Sequence, residues 1–229
     1  TLLIGYDVEV QDPDSPVTAQ FLSRAAEVHA ELGAPATLFA CGRTAENNTQ
    51  AFLSASRAAP LDLQQHTYDH VLLKTLCQVN HQGTTVIRGG SIEQIAESIG
   101  RANRVMYERF GIVCRGLTAP YGYYRGLGDR PDLLAIIHGM GIRFIRSWMR
   151  NSLDWVPNPL AIQPFTYAPQ GFPDLMEFPL TGRHDCDWSN HLGFEPEWVK
   201  TKEDYKRYVL SQLDVLQEHD KTWSWLQHD

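Results

Sequence analysis

The first 41 residues, "TLLIGYDVEVQDPDSPVTAQFLSRAAEVHAELGAPATLFAC", decide the fold class. They contain an apolar run (1–7), an amphipathic segment (17–32) that stops at Gly33, and a second apolar run (36–41). Two extended stretches joined by a helix that ends at glycine are typical of a β-α-β unit. The pattern therefore predicts parallel strands with helices packed outside them.

The same alternation continues to the end of the chain. Two more segments have helical periodicity, "SIEQIAESIGRANRVMYERF" (91–110) and "KEDYKRYVLSQLDVLQE" (202–218), and the first opens with Ser91 and Gln94 at capping-box spacing. The remaining strand candidates are "LDLQQ" from Leu61, "CRGLTA" from Cys114, "RFIRSW" from Arg143, "LMEFPL" from Leu175 and "TWSWLQH" from Thr222. Seven strands in one domain (1–229) predict a doubly wound sheet or a TIM-type barrel short by one strand. In both architectures ligands bind at the C-terminal ends of the strands.

Composition excludes several classes of protein. The chain has 229 residues, 43% of them hydrophobic, and a net charge of −7 without a basic block. Nucleic acid and anionic membranes are therefore not expected partners. No apolar run reaches the roughly 20 residues of a membrane span.

The cysteines indicate a reducing compartment. Four cysteines (41, 77, 114 and 186) are scattered without a CxxC pair, so neither a disulfide scaffold nor a zinc ribbon is predicted. No leader peptide is visible before the first strand. A cytoplasmic location is the expectation, and a secreted or periplasmic one follows only if a leader has been removed.

Paired acids end the first predicted strand. Asp7 and Glu9 in "GYDVE" alternate along an extended chain, so their side chains point to one side. Two adjacent carboxylates repel each other unless a cation or a proton separates them. Ordinary solvated acids at an exposed strand end are an equally good interpretation of this motif by itself.

The third strand ends at "HTYDH", which contains His66 and His70. If a helix begins near His66, both rings lie on one face and reach a single ion. The motif differs from HExxH because Thr67 stands where that motif has its catalytic glutamate. More often in such a pair, one histidine caps the helix and the other is exposed to solvent.

Three further motifs follow later strands: "TAPYGYYRG" (118–126), "NSLDW" (151–155) and "WLQHD" (225–229). Alone, each fits a plain turn, a surface loop or a frayed terminus. Their shared position at strand ends favours a common site. The segment "GRHDCDWSNH" contains His184, Asp185, Asp187 and His191. It is a substrate-binding loop or supplies a further ligand to the ion in a functional interpretation, and a plain polar loop is favoured over a second metal site.

Together, these motifs resemble those of the polysaccharide deacetylase family, the NodB-homology domain, from Thr1 to Asp229. "GYDVE", "HTYDH", "TAPYG", "NSLDW" and "WLQHD" are similar to its five motifs in order and spacing, and "GAPATLFACG" to its second strand. The resemblance implies an irregular (β/α)7 barrel that removes N-acetyl groups from an amino sugar or polysaccharide.

The resemblance also implies residue roles. Glu9, His66 and His70 would hold a divalent cation, most often zinc, with cobalt or nickel as alternatives. Asp7 would be the general base, and the backbone N–H of Tyr121 would stabilise the oxyanion. His228 would protonate the departing amine. Asp154 would orient His228, and Trp155, Tyr123 and Tyr124 would line the sugar-binding mouth. Thr118 is grouped with Tyr121 on the substrate and oxyanion side of the site.

Three positions depart from the family pattern. Glu9 replaces the usual Asp, Thr118 replaces an Arg that restrains the base, and Asn151 replaces the first Asp of "DxxDW". Without the cation of that Arg, Asp7 should ionise less readily unless Arg115, Arg125 or the metal compensates. Because His228 stands one residue before the end, we also expect the chain to continue beyond Asp229.

Two other functions stay open. A metal-independent, allantoinase-like hydrolase of cyclic amides would use the same barrel, and Glu9 favours it. A non-catalytic carbohydrate-binding barrel is the third hypothesis. The presence of the acids Asp7 and Asp154 and of His66, His70 and His228 argues against it.

Overall fold

A computed structural model describes residues 1–80, 83–152, 158–186 and 201–229, with the side chains of 78–80 left out. The strands in these ranges are β1 (Leu2–Val8), β2 (Ala36–Ala40), β3 (Leu61–Gln65), β4 (Leu76–Asn80), β5 (Gly83–Ile87), β6 (Gly116–Tyr124), β7 (Phe144–Arg150), β8 (Phe165–Tyr167), β9 (Phe172–Glu177) and β10 (Trp223–His228). The helices are α1 (Val17–Leu32), α2 (Gly42–Asn47), α3 (Thr49–Ala58), α4 (Ile92–Phe110), α5 (Pro131–Gly139) and α6 (Lys202–His219).

The large sheet has the order β10-β1-β2-β3-β6-β7-β9-β8. Its first seven members pair in parallel and correspond to the seven predicted strands, while β8 adds antiparallel to β9. An isolated parallel bridge between Leu180 and Ser224 brings the chain after β9 beside β10, at the other end of the sheet order. The α/β fold with a mostly parallel sheet is therefore confirmed, and this bridge is the contact an irregular barrel needs.

The three predicted helices are present. Gly33 ends α1 in the left-handed conformation, with φ of 59°. Ser91 and Gln94 form the expected capping box at the start of α4, which contributes about 1 kcal/mol. Helix α4 buries Ile95, Ile99 and neighbouring residues fully, whereas Ile92 in its first turn is exposed.

Helices α2, α3 and α5, the β4–β5 hairpin and β8 were not predicted from the sequence. None of the helices among the described residues is long and apolar enough to cross a lipid bilayer.

Candidate active site

The polar residues that follow the parallel strands gather around one small cavity of about 80 Å³. The residues gather there because the C-terminal ends of neighbouring parallel strands lie at the same edge of the sheet. Asp7 of β1 is the register partner of His228 in β10. The cavity is lined, among the described residues, by Asp7, Glu9, His66, His70, Ala119, Tyr121, Met149, Arg150, Leu180, Cys186, Leu226 and His228.

Glu9 lies between the two histidines. Its Oε2 is 3.2 Å from Nε2 of His66 and 2.8 Å from Nε2 of His70, and the two ring centroids are 4.9 Å apart. The three ligand atoms lie within 4.8 Å of one another. Two imidazoles and a carboxylate, converging with open positions for water and substrate, fit the donor set of a catalytic zinc site.

No helix begins at "HTYDH", so the condition under which both rings would share a helical face is not met. The segment forms an irregular loop in which Thr67 and His70 have positive φ, 60° and 62°. Non-glycine residues rarely adopt this left-handed conformation, and it concentrates at functional sites where the surroundings enforce it. Contacts with α2 help to do so, since the N–H of Gly42 donates to the Thr67 carbonyl at 2.9 Å. Backbone turns, rather than helical spacing, therefore bring the two rings together.

A hydrogen bond to the backbone of Thr118 fixes the orientation of the His66 ring. Its Nδ1 lies 2.9 Å from the Thr118 carbonyl and donates to it, which directs Nε2 toward Glu9. Burial works against a charged imidazole, but nearby Asp7 and Glu9 outweigh burial and raise the pKa of His66. Burial likewise opposes ionisation of Glu9, yet hydrogen bonds from His66 and His70 hold its pKa far below the usual range.

Asp7 is paired with an arginine that the sequence did not reveal. Nη1 of Arg146, from β7, donates to Oδ1 of Asp7 at 3.3 Å and to the Thr118 hydroxyl at 3.3 Å. Both charged side chains are buried, with 4% of each exposed. The cation that faces Asp7 is therefore neither Arg115 nor Arg125 but Arg146, the register partner of Thr118 on β7.

Gly5 makes room for this pair. A Cβ at residue 5 would lie 2.3 Å from Nη1 of Arg146 and 2.7 Å from its Cζ. Burial lowers the pKa of Arg146, and the facing Asp7 carboxylate opposes that effect.

Tyr121 lies where β6 breaks its regular pairing with β7, between Thr118 and Tyr123. It has φ of 64°, and its ring lies 5.7 Å from that of His70. Nε of the fully buried Arg150 donates to the carbonyls of Tyr121 and Gly122 at 3.3 and 3.2 Å. This irregular backbone places residue 121 against the cavity.

The other predicted substrate residues lie elsewhere. Tyr123 belongs to the core: it is 2% exposed, and its hydroxyl accepts a hydrogen bond from the N–H of Leu73 at 2.7 Å. Its expected place in the sugar-binding mouth is therefore wrong, because the strand pleat turns it inward. Tyr124 is 39% exposed and packs edge-on against Trp148. Thr118 is fully buried behind Asp7 and His66, so it supports the site without facing substrate.

His228 is fixed by Asp185. Nδ1 of His228 lies 2.8 Å from Oδ1 of Asp185, and its backbone N–H donates to Oδ2 of the same carboxylate at 2.7 Å. Burial lowers the pKa of His228, but hydrogen bonds with Asp185 and with Cys186, at 3.4 Å, outweigh it and raise that pKa well above its usual value. Among the described residues, Asp185 is therefore the candidate for orienting His228, the role expected for Asp154.

Four residues with predicted importance lie outside the described ranges, namely Asp154, Trp155, Asp187 and His191. Asp185 itself stands in the segment that the sequence suggested to be only a polar loop. Its signal was the acid between His184 and Cys186, just after the sixth predicted strand.

The side chain of Asp229 links β10 to the backbone at Glu9. Its Oδ1 accepts from the N–H of Glu9 at 2.9 Å, and its Oδ2 accepts from the hydroxyl of Thr18 at 2.5 Å. Burial raises the pKa of Asp229. These bonds anchor His228, one residue earlier, beside β1.

Comparison with solved structures identifies the fold. A protein from Mycobacterium smegmatis assigned as a polysaccharide deacetylase superposes with a TM-score of 0.63 at 17% identity, over 99% of this chain and 76% of its own. An allantoinase gives 0.57 at 12% identity, over 99% and 76%. A carbohydrate esterase family 4 pseudoenzyme from Bacillus anthracis gives 0.52 at 14% identity, over 100% and 63%. At these identities the likeness concerns the fold alone.

Sequence comparison identifies the family. No curated protein matches the chain. The profile of the polysaccharide deacetylase family matches residues 12–141, more than half of the chain. The chain therefore belongs to the polysaccharide deacetylase family and is a hydrolase that acts on carbon–nitrogen bonds.

Proposed function

We propose that this protein hydrolyses the N-acetyl group of an amino sugar or polysaccharide with the help of a divalent cation at Glu9, His66 and His70. The observation that carries the proposal is the composition of the 80 Å³ cavity. A carboxylate, a histidine and a three-residue cation site face the same small space. A space of that size suits an acyl group better than a sugar ring.

A cation bound at this site would act as a Lewis acid, lowering the pKa of a water molecule and polarising the acetyl carbonyl. Glu9, His66 and His70 would hold it, with His66 kept in the required tautomer by the Thr118 carbonyl.

Asp7 is the general base. It takes a proton from the attacking water as the water oxygen bonds to the carbonyl carbon. Arg146 positions the Asp7 carboxylate and balances its charge in the buried site. The negative charge that develops on the carbonyl oxygen faces the backbone at Tyr121, whose N–H is the proposed oxyanion donor.

His228 is the general acid. Because Asp185 holds Nδ1, Nε2 is the nitrogen that delivers a proton to the departing nitrogen. The carbon–nitrogen bond then breaks, giving acetate and a free amine. The raised pKa of His228 keeps the imidazole protonated for this step.

One observation favours a metal-independent cyclic-amide hydrolase as the second candidate. Glu9 accepts from both His66 and His70, so the three residues satisfy one another as an ion-paired cluster. Asp7 is likewise balanced by Arg146 without a metal. The same base and acid would then open a cyclic amide.

The test measures acetate and free amine released from N-acetylglucosamine oligomers, with allantoin hydrolysis assayed in parallel. We expect acetate release that Asp7→Asn reduces to near background while substrate binding is retained. Asp14→Asn, an exposed acid on the following loop, is the matched control and keeps full activity.

Turnover of allantoin alone, unchanged by chelators, would replace the proposal with the cyclic-amide hydrolase. Oligomer binding without turnover of either substrate would support the non-catalytic barrel.

A further inference from the structure

A second group of metal-ligating side chains lies beside the candidate active site. His184, Asp185 and Cys186 offer ligand atoms that lie within 4.8 Å of one another. His228 joins this group, with Nδ1 at 2.8 Å from Oδ1 of Asp185 and 3.4 Å from Sγ of Cys186. The rings of His184 and His228 are 6.1 Å apart.

The donors are also withdrawn from solvent. The side chain of His184 is 4% exposed, that of Asp185 24% and that of His228 21%. Cys186 carries a partly buried thiol, and its sulfur becomes a strong ligand when a cation displaces its proton.

The chemistry of this group differs from that of Glu9, His66 and His70. A thiolate, two imidazoles and one carboxylate form a mixed set of sulfur, nitrogen and oxygen donors, which selects zinc, cobalt or cadmium over magnesium or calcium. We propose that His184, Asp185, Cys186 and His228 form a second, thiolate-containing site for a thiophilic divalent cation.

Occupation of this site has a chemical consequence for His228. The cation takes the position of the proton that Nδ1 shares with Asp185, and the protons of the Cys186 thiol and of Nδ1 are released to solvent. His228 then keeps a single proton, on Nε2. Giving up that proton to the departing amine would leave an anionic imidazolate, so His228 would be a poor general acid. Occupation of this site is therefore inhibitory, a consequence that rests on the proposed role of His228 as the acid.

Cobalt(II) titration of the full chain under reducing conditions tests the site without any activity measurement. A cobalt–thiolate bond gives a charge-transfer band in the near ultraviolet, which nitrogen and oxygen ligands do not give. We expect this band in the wild type, with two cobalt ions bound per chain at saturation.

Variants separate the two sites. Cys186→Ser should lose the band and bind one ion, and His184→Ala should weaken cobalt binding at the band-forming site. Cys77→Ser, which removes an exposed thiol, should keep the band unchanged. His70→Ala should keep the band while losing the other ion, so failure of the first site is distinguishable from failure of the second.

Circular dichroism confirms that each variant is folded. A wild-type protein that loads cobalt without a thiolate band overturns the proposal, as does a band that survives in folded Cys186→Ser.

Discussion

Replacing Gly5 by alanine should damage the Asp7–Arg146 pair without touching either charged residue. The added Cβ would lie 2.3 Å from Nη1 and 3.0 Å from Nη2 of Arg146. Ordinary contacts begin near 3.4 Å, so the guanidinium must retreat by about 1 Å, and its 3.3 Å bond to Asp7 breaks.

Forced overpacking of a core costs about 1–3 kcal/mol. For a domain of this size the melting temperature falls by about 2–4 °C per kcal/mol, so a loss of about 2–12 °C is expected. The free energy of unfolding from urea titration measures the loss directly. Acetate release should fall too, because Asp7 loses its positioning partner.

A double-mutant cycle isolates the cause. In an Arg146→Met background the guanidinium is gone, and Gly5→Ala should cost much less. An equal cost in both backgrounds, or wild-type stability in Gly5→Ala alone, would refute the claim that Gly5 exists to admit Arg146.

Two further predictions follow from the same structure. Asp185→Asn removes a charge-assisted bond to His228, which is worth about 1.5–3 kcal/mol, so kcat should fall by about 10- to 150-fold. Asp185 raises the pKa of His228, and the general acid must be protonated to act. The alkaline limb of the pH–rate profile should therefore move to lower pH in this variant. An alkaline limb at the wild-type pH would argue against Asp185 as the orienting residue. At Gly100 in α4, an added Cβ would meet only Cε of Met140, at 3.9 Å. Gly100→Ala should therefore raise the free energy of unfolding from urea titration by about 0.5–1 kcal/mol, because alanine is favoured over glycine inside a helix. A lower free energy of unfolding would show that the position is more tightly packed.

Periodic features of the fold were predictable from sequence. The seven parallel strands and helices α1, α4 and α6 follow from the sequence, because the strands are short apolar runs and the helices repeat apolar residues at helical spacing. Short helices such as α2 and α5 carry too few turns for that signal.

The site was predictable only in part. "HTYDH" offers His66 and His70 as ligand candidates, but the loop that brings their rings together could not be predicted from it, since the left-handed conformations of Thr67 and His70 depend on tertiary contacts. Arg146 was hidden in "RFIRSW", which indicates a buried strand. Its signal was a charge inside an apolar run, because a buried arginine requires a partner.

The central claim is that Glu9, His66 and His70 hold the cation on which deacetylation depends. The most direct test restores zinc stepwise to chelator-treated protein while acetate release from N-acetylglucosamine oligomers is measured, in wild type and His70→Ala. The account predicts that wild-type activity rises to a maximum near one zinc per chain and that His70→Ala stays inactive throughout. Full activity in the chelated protein, or equal activation of His70→Ala, would contradict it.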